Sequence, residues 1–327
     1  MRLLFPLACV GLVSAALARA AELPSAKGTV TFEPKDDQTS VPERYRLKAH
    51  TFDFELNPKF DLPNSGVEVY QLTFPSPVTC AYECNNTVYA EYYRPKGPGP
   101  FPAVIVLDVL AGDQKLSRGI ATLLAQNNIT ALFVQMAYYG PRRPLEGHVR
   151  LLSPNIAHTL EAIRQTVLDC RCAAAWLESR PEVDGKRLGI LGTSLGSFLS
   201  ALTAEMEPRL GRVALFLGGG GLVDAYWDHP KVRPLSKLAD LAGADSREKM
   251  KQLIAPADPL TCAANLKSRK LLMIAASRDD VVPPQAARTL WEASGKQKII
   301  WYDAGHYSAV LYLPAALNHI VEHFRVP

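Results

Sequence analysis

The chain has 327 residues, of which 48% are hydrophobic and 21% charged, with a formal net charge of +4. That length fits one large α/β domain rather than two, and the apolar share is ample for its core. The weak positive balance argues against nucleic acid or an anionic membrane surface as a partner.

The N-terminus reads as a secretory signal. Arg2 precedes an apolar run over residues 3–17, broken by Pro6, Gly11 and Ser14, and Ala18-Arg19-Ala20 stands before Ala21. The small-x-small ending predicts a signal peptide over residues 1–20, cleaved after Ala20, and a secreted or periplasmic protein. A membrane anchor is the competing reading, but the run is short for a span. Cys9 follows too short an apolar stretch for a lipoprotein site. Loss of Arg2 and Arg19 takes the charge from +4 to +2. Five of the six cysteines then remain: Cys80, Cys84, Cys170, Cys172 and Cys262. An oxidising compartment permits disulfides, and an odd count leaves at least one thiol unpaired. Cys80 and Cys84 flank Ala81-Tyr82-Glu83 and form the first candidate pair. A metal site using Cys170 and Cys172 is disfavoured, because Cys-x-Cys on a helix points its thiols apart. No metal or cofactor is expected.

Residues 21–66 read as an extended N-terminal segment, with one strand near 50–56, ahead of a main domain over residues 67–327. Apolar and polar residues alternate over 67–74 and 87–94, which predicts two antiparallel strands. Lys96-Gly97-Pro98-Gly99-Pro100 turns into a buried strand at 103–107. Strands and helices then alternate, the pattern of a mostly parallel sheet with helices on both faces. After the strand at 131–135 comes Tyr138-Tyr139-Gly140-Pro141-Arg142, leaving a strand end. Tyr139 and Arg142 are candidates for a pocket wall, or else they brace the loop. Ser153 and Pro154 open a helix whose stripe Ile156, Leu160, Ile163, Val167, Cys170, Ala174 and Leu177 is core packing.

Gly192-Thr193-Ser194-Leu195-Gly196 follows the apolar strand Leu188-Gly189-Ile190-Leu191 and precedes a small-residue helical stretch. A G-x-S-x-G between strand and helix is the nucleophile elbow, which lifts a serine hydroxyl above the sheet edge. A strand at 213–217 then ends in four glycines, Gly218 to Gly221, with no Lys-Ser/Thr after them, so nucleotide binding is not expected. The helical insertion over about 222–259 is read as a cap over the serine, with Tyr226 and Trp227 as pocket walls.

A serine needs a histidine base oriented by a carboxylate, and in this arrangement the order is serine, acid, histidine. The strand at 270–276 runs into Ser277-Arg278-Asp279-Asp280-Val281-Val282-Pro283, and the strand at 298–302 into Asp303-Ala304-Gly305-His306. Three strand ends thus supply Ser194, an aspartate and His306. His148, His158, His229, His319 and His323 sit at no predicted strand end and read as surface or packing residues.

These motifs resemble the α/β-hydrolase fold, most closely the dienelactone-hydrolase and acetyl-xylan-esterase-like branch, over about residues 67–326. Trp176-Leu177-Glu178-Ser179-Arg180-Pro181-Glu182-Val183-Asp184, Asp258-Pro259-Leu260 and the loop Asp279-Asp280-Val281-Val282-Pro283 carry that likeness. The resemblance implies that Asp279 rather than Asp280 is the acid. It implies an oxyanion hole built from the amides of Leu195 and Leu110. Many relatives have His-Gly in the second loop where this chain has Asp108-Val109. Asp108 is either a loop brace or a group near the site. The function implied is an exported serine hydrolase that cleaves a small-molecule, carbohydrate or lipid ester. A serine peptidase and a non-catalytic binding protein are the alternatives, and no N-terminal region is long enough for a propeller. Oligomeric state is left open.

Overall fold

Apolar runs and alternating runs sort this chain into one ten-stranded sheet. The computed structural model describes residues 24–326 apart from 63–64, 111–112, 146–148, 231, 235, 238–242 and 244. The signal-peptide reading, Cys9 and His148 lie outside the described residues.

The strands are β1 (Ala26–Phe32), β2 (His50–Leu62), β3 (Val67–Pro75), β4 (Thr87–Pro95), β5 (Phe101–Leu107), β6 (Thr130–Val134), β7 (Val183–Thr193), β8 (Leu210–Phe216), β9 (Lys270–Ala276) and β10 (Lys298–Tyr302). Their order across the sheet is β1-β2-β3-β4-β6-β5-β7-β8-β9-β10. Pairing is antiparallel from β1 through β4 to β6 and parallel from β6 through β10.

The parallel strands inside the sheet are buried on both faces and so lack polar alternation, whereas β10 at the edge is only partly buried. On β5, Ala103, Ile105 and Leu107 enter one core while Val104 and Val106 enter the other. On β9, Leu271 and Met273 likewise part from Leu272 and Ile274. The first core is covered by α2 (Ile156–Glu178) and α3 (Leu195–Met206). The second is covered by α1 (Lys115–Gln126) and a C-terminal helix at Leu313–Arg325.

The N-terminal reading needs correction. Residues 26–62 supply two strands, not one, and both extend the main sheet. Val30, Phe32, Phe52, Phe54 and Leu56 are buried, whereas Thr29, Thr31, Asp53 and Glu55 lie on the other side. That period-2 pattern fixes the register Val30↔Phe52.

The 222–259 insertion contains α4 (Leu222–Tyr226) and α5 (Ser246–Ile254), then a short 3-10 turn at Ala255–Ala257. The last helices are α6 (Pro284–Ala293) and α7 (Leu313–Arg325). Chain order reverses at β5, whose neighbours are β6 on one side and β7 on the other. Such a switch point opens a crevice at the carboxyl ends of the strands, where sites form.

Candidate active site

β7 ends at Thr193 and α3 begins at Leu195, so the whole strand-to-helix turn is Ser194. Its backbone is forced to φ 53°, ψ −116°, a conformation that L residues rarely adopt. A Cβ on Gly192 would stand 2.0 Å from the Gly196 carbonyl oxygen. One on Gly196 would stand 2.5 Å from the carbonyl oxygens of Leu107 and Asp108. Both glycines are therefore required for helix, turn and β5 to approach this closely. The Ser194 amide donates to the Phe216 carbonyl at 2.8 Å and holds the strained turn against β8.

His306 Nε2 lies 3.0 Å from Ser194 Oγ, and His306 Nδ1 lies 2.8 Å from Asp279 Oδ2. Asp279 is buried, and its other oxygen accepts the amides of Val281 at 2.8 Å and Val282 at 2.7 Å. One carboxylate oxygen is thus tied to its own loop and the other is left for the imidazole. That contact makes Nδ1 the protonated nitrogen and Nε2 the acceptor for the serine hydroxyl. Asp280 is exposed, and its backbone carbonyl lies 3.0 Å from His229 Nε2.

Ser194 and His306 open onto a cavity of about 290 Å³. Leu110, Leu116, Phe216, Leu217, Val310 and Leu313 line it, with Val109, Thr193, Val281 and Tyr307. Its walls are overwhelmingly apolar. Apart from Leu110, these wall residues were not among the candidates read from the sequence. The signal available was position: Phe216 and Leu217 end β8 beside the elbow. Leu217 has φ 56°, an outlier for a bulky residue, and its amide donates to the Ile274 carbonyl at 2.8 Å.

Leu195 is the first residue of α3, so its amide belongs to the helix-end donors without an intrahelical acceptor. Leu110 is 53% exposed and lines the Ser194 cavity. Asp108 does not line it. Its buried carboxylate accepts Ser117 Oγ of α1 at 2.7 Å, and burial pushes its pKa up from the ordinary aspartate value. Of the two readings left open for Asp108, the structure gives the loop brace.

The remaining pocket candidates divide. Tyr139 lines a second cavity, of about 430 Å³, which shares the Leu110 wall with the first. For Arg142 the structure gives the loop brace rather than the pocket wall: it is fully buried and lines neither of these cavities. It pairs with Asp169 at 2.7 Å and donates to the carbonyls of Gln135 and Asn85. An arginine that reaches three acceptors at once gains more by turning inward than by facing solvent. Tyr226 and Trp227 are corrected. Tyr226 donates to the Val281 carbonyl at 2.6 Å and lines a separate apolar hollow with Leu195 and Phe198. Trp227 is buried beneath the Arg247 guanidinium and lines none of these cavities. Among the described residues, no part of the 222–259 insertion lines the cavity at Ser194.

Cys80 and Cys84 are both free thiols, against the pairing expected for them. Asn85 donates to Cys80 Sγ, and Cys84 Sγ donates to the Arg142 carbonyl. Cys170 and Cys172 are buried, and burial pushes both thiols far above the usual cysteine range. Among the described residues no helix is long and apolar enough to cross a membrane.

Two family models match parts of the chain: the prolyl oligopeptidase family over residues 159–306 and alpha/beta hydrolase domain containing 18 over residues 86–218. An uncharacterised protein of Mycobacterium tuberculosis (strain ATCC 25618 / H37Rv) is 26% identical over 234 residues, 69% of this chain and 54% of that protein. The chain thus spans about half the length of the curated relatives it matches. Acetyl xylan esterase 1 from Thermoanaerobacterium sp. JW/SL YS485 superposes with TM-score 0.63 and 23% identity, over 82% of this chain and 87% of that one. An acetyl xylan esterase from Paenibacillus sp. R4 gives 0.65 and 19%, over 82% and 88%.

Proposed function

From the α/β-hydrolase fold of this chain, we propose that it is a serine hydrolase that cleaves carboxylic esters through an acyl-enzyme. The observation that carries this reading is the hydrogen-bonded line Asp279–His306–Ser194, at 2.8 and 3.0 Å, ending on a strained elbow.

In the first half-reaction Ser194 Oγ attacks the ester carbonyl while His306 Nε2 takes its proton. Asp279 holds the imidazole by Nδ1 and stabilises the imidazolium without itself becoming protonated. The amides of Leu195 and Leu110 receive the oxyanion. The tetrahedral intermediate collapses, the C–O bond breaks, and His306 gives its proton to the departing alkoxide. In the second half-reaction a water takes the alcohol's place, His306 is again the base, and the acid leaves with Ser194 restored. The roughly 290 Å³ apolar cavity suits an acyl group of modest size. The reading of residues 1–20 as a signal peptide supports an exported enzyme.

A serine peptidase is the second reading, favoured by the prolyl oligopeptidase match over residues 159–306. Matched esters and aminoacyl amides assayed side by side separate the two.

The test is intact mass after exposure to a fluorophosphonate probe. Wild type should gain a single adduct and Ser194→Ala none, with ester turnover in the variant falling by roughly 10³-fold or more. A folded wild type that gains no adduct removes the hydrolase reading and leaves a binding protein on this fold.

A further inference from the structure

The cavity at Ser194 offers a substrate apolar walls, and the charge stands next door. The second cavity, of about 430 Å³, is lined by Gln114, Tyr139, Arg143 and Arg150 beyond the shared Leu110. Among the described residues, none of its walls is acidic. Among the described residues, neither the Arg143 nor the Arg150 guanidinium has a hydrogen bond, an ion pair or a ring contact.

Both arginines are nonetheless mounted on fixed backbone. Arg143 follows the buried Arg142, whose guanidinium is clamped to Asp169 and two carbonyls, and the Arg143 amide closes a turn onto Gly140. The Arg150 carbonyl lies 2.8 Å from His158 Nε2 on α2. Two adjacent arginines of one loop therefore have opposite fates: Arg142 spends its donors inside, and Arg143 presents all of its own to the cavity. Two guanidinium groups in one concave wall, with no ion-pair partner among the described residues, focus a positive potential. Their planar donor sets match a carboxylate better than a point charge would.

We infer that the leaving half of the substrate carries a carboxylate, held by Arg143 and Arg150. This rests on the ester-hydrolase reading. The acyl half stays bonded to Ser194 in the acyl-enzyme, so its space is the apolar cavity that Ser194 itself lines. The alcohol half extends past Leu110 into the cavity with the arginines. The substrate class is thus an ester of an apolar acid with an anionic alcohol.

The experiment compares 3-carboxyphenyl butanoate with its neutral counterpart 3-carbamoylphenyl butanoate, in wild type and in the double variant Arg143→Gln, Arg150→Gln. The ratio of kcat/KM for the anionic over the neutral ester should fall on the order of tenfold in the double variant, chiefly through KM. In wild type the same ratio should shrink as salt is raised. A ratio that the double variant leaves unchanged overturns the inference. Calorimetric titration of Ser194→Ala with 3-carboxyphenyl butanoate reads the subsite without chemistry. Binding that weakens when the arginines are also replaced supports the subsite, and binding indifferent to them overturns it. Arginine-dependent binding together with no turnover of either ester by wild type overturns the hydrolase reading and leaves the anion subsite standing.

Discussion

At the scale of single residues, Asp108 is the side chain that sequence could name but not place. Its structural partner is Ser117, nine residues on and in a different element. A hydrogen bond between a strand end and a helix has no signature in local sequence. The residues Ser194, Asp279 and His306 were legible because each follows a strand in a recognisable turn. The clip has a consequence for Leu110, two residues further along the same loop. If the Leu110 amide receives the oxyanion, loosening Asp108 misplaces that donor without touching the nucleophile. Asp108→Ala should therefore lower kcat on the order of 10²-fold with little change in KM. Asp108→Asn keeps an oxygen for Ser117 Oγ and should recover most of the loss. Steady-state kinetics on a neutral ester reads both. An Asn variant as impaired as the Ala variant removes the bracing role, because only the charge would then distinguish them from wild type.

At the scale of elements, the loop after β6 is tied down by an ion pair as well as by the packing of Met136, Ala137 and Tyr138 into the first core. Arg142 reaches Asp169 on α2, and Asp169 Oδ1 also accepts Ser76 Oγ at 2.6 Å. Both charges are fully buried, and burial holds the Asp169 carboxyl above its ordinary pKa despite the arginine. Removing one partner of such a pair strands the other, so Arg142→Met should cost about 3–5 kcal/mol. Replacing both, Arg142→Met with Asp169→Leu, should restore most of it. Thermal denaturation decides: a melting temperature unmoved in the single variant would put Arg142 outside the fold's framework. The same loop shows where sequence reading stops. Apolar runs located the parallel strands β5, β7, β8 and β9, since a strand buried on both faces advertises itself by composition. Whether an arginine at a strand end turns inward or outward depends on acceptors from Asn85 and Asp169, which are distant in sequence. β1 escaped notice for a related reason. Its two buried residues, Val30 and Phe32, acquire meaning only through the pairing with Phe52 and His50. Among the described residues the insertion lines no part of the Ser194 cavity, because sequence position after β8 fixes where the insertion begins, not which face it covers.

At the scale of the whole molecule, the candidate site occupies the carboxyl edge of the sheet, and the C-terminal end of α7 lies at the opposite edge. There Arg212, near the start of β8, donates to the His323 carbonyl at 2.6 Å. Burial, and then the Arg212 and Lys298 charges that face it, push the His323 pKa down from 6.5 to about 4. A base whose folded pKa is depressed resists protonation in the native state while the unfolded chain takes up the proton freely. Its contribution to stability is therefore complete above pH 6.5, is lost progressively as pH falls to about 4, and is unchanged below that. A depression of that size corresponds to at most about 3 kcal/mol. His323→Phe cannot titrate, so the stability of wild type relative to this variant should decline by up to that amount, about 3 kcal/mol, between pH 7 and pH 4. Denaturant unfolding at a series of pH values measures the difference. The carboxylates that titrate in the same range are common to both proteins and cancel. A difference that stays flat across the window would mean that the ring is solvated and that α7 does not seal this edge.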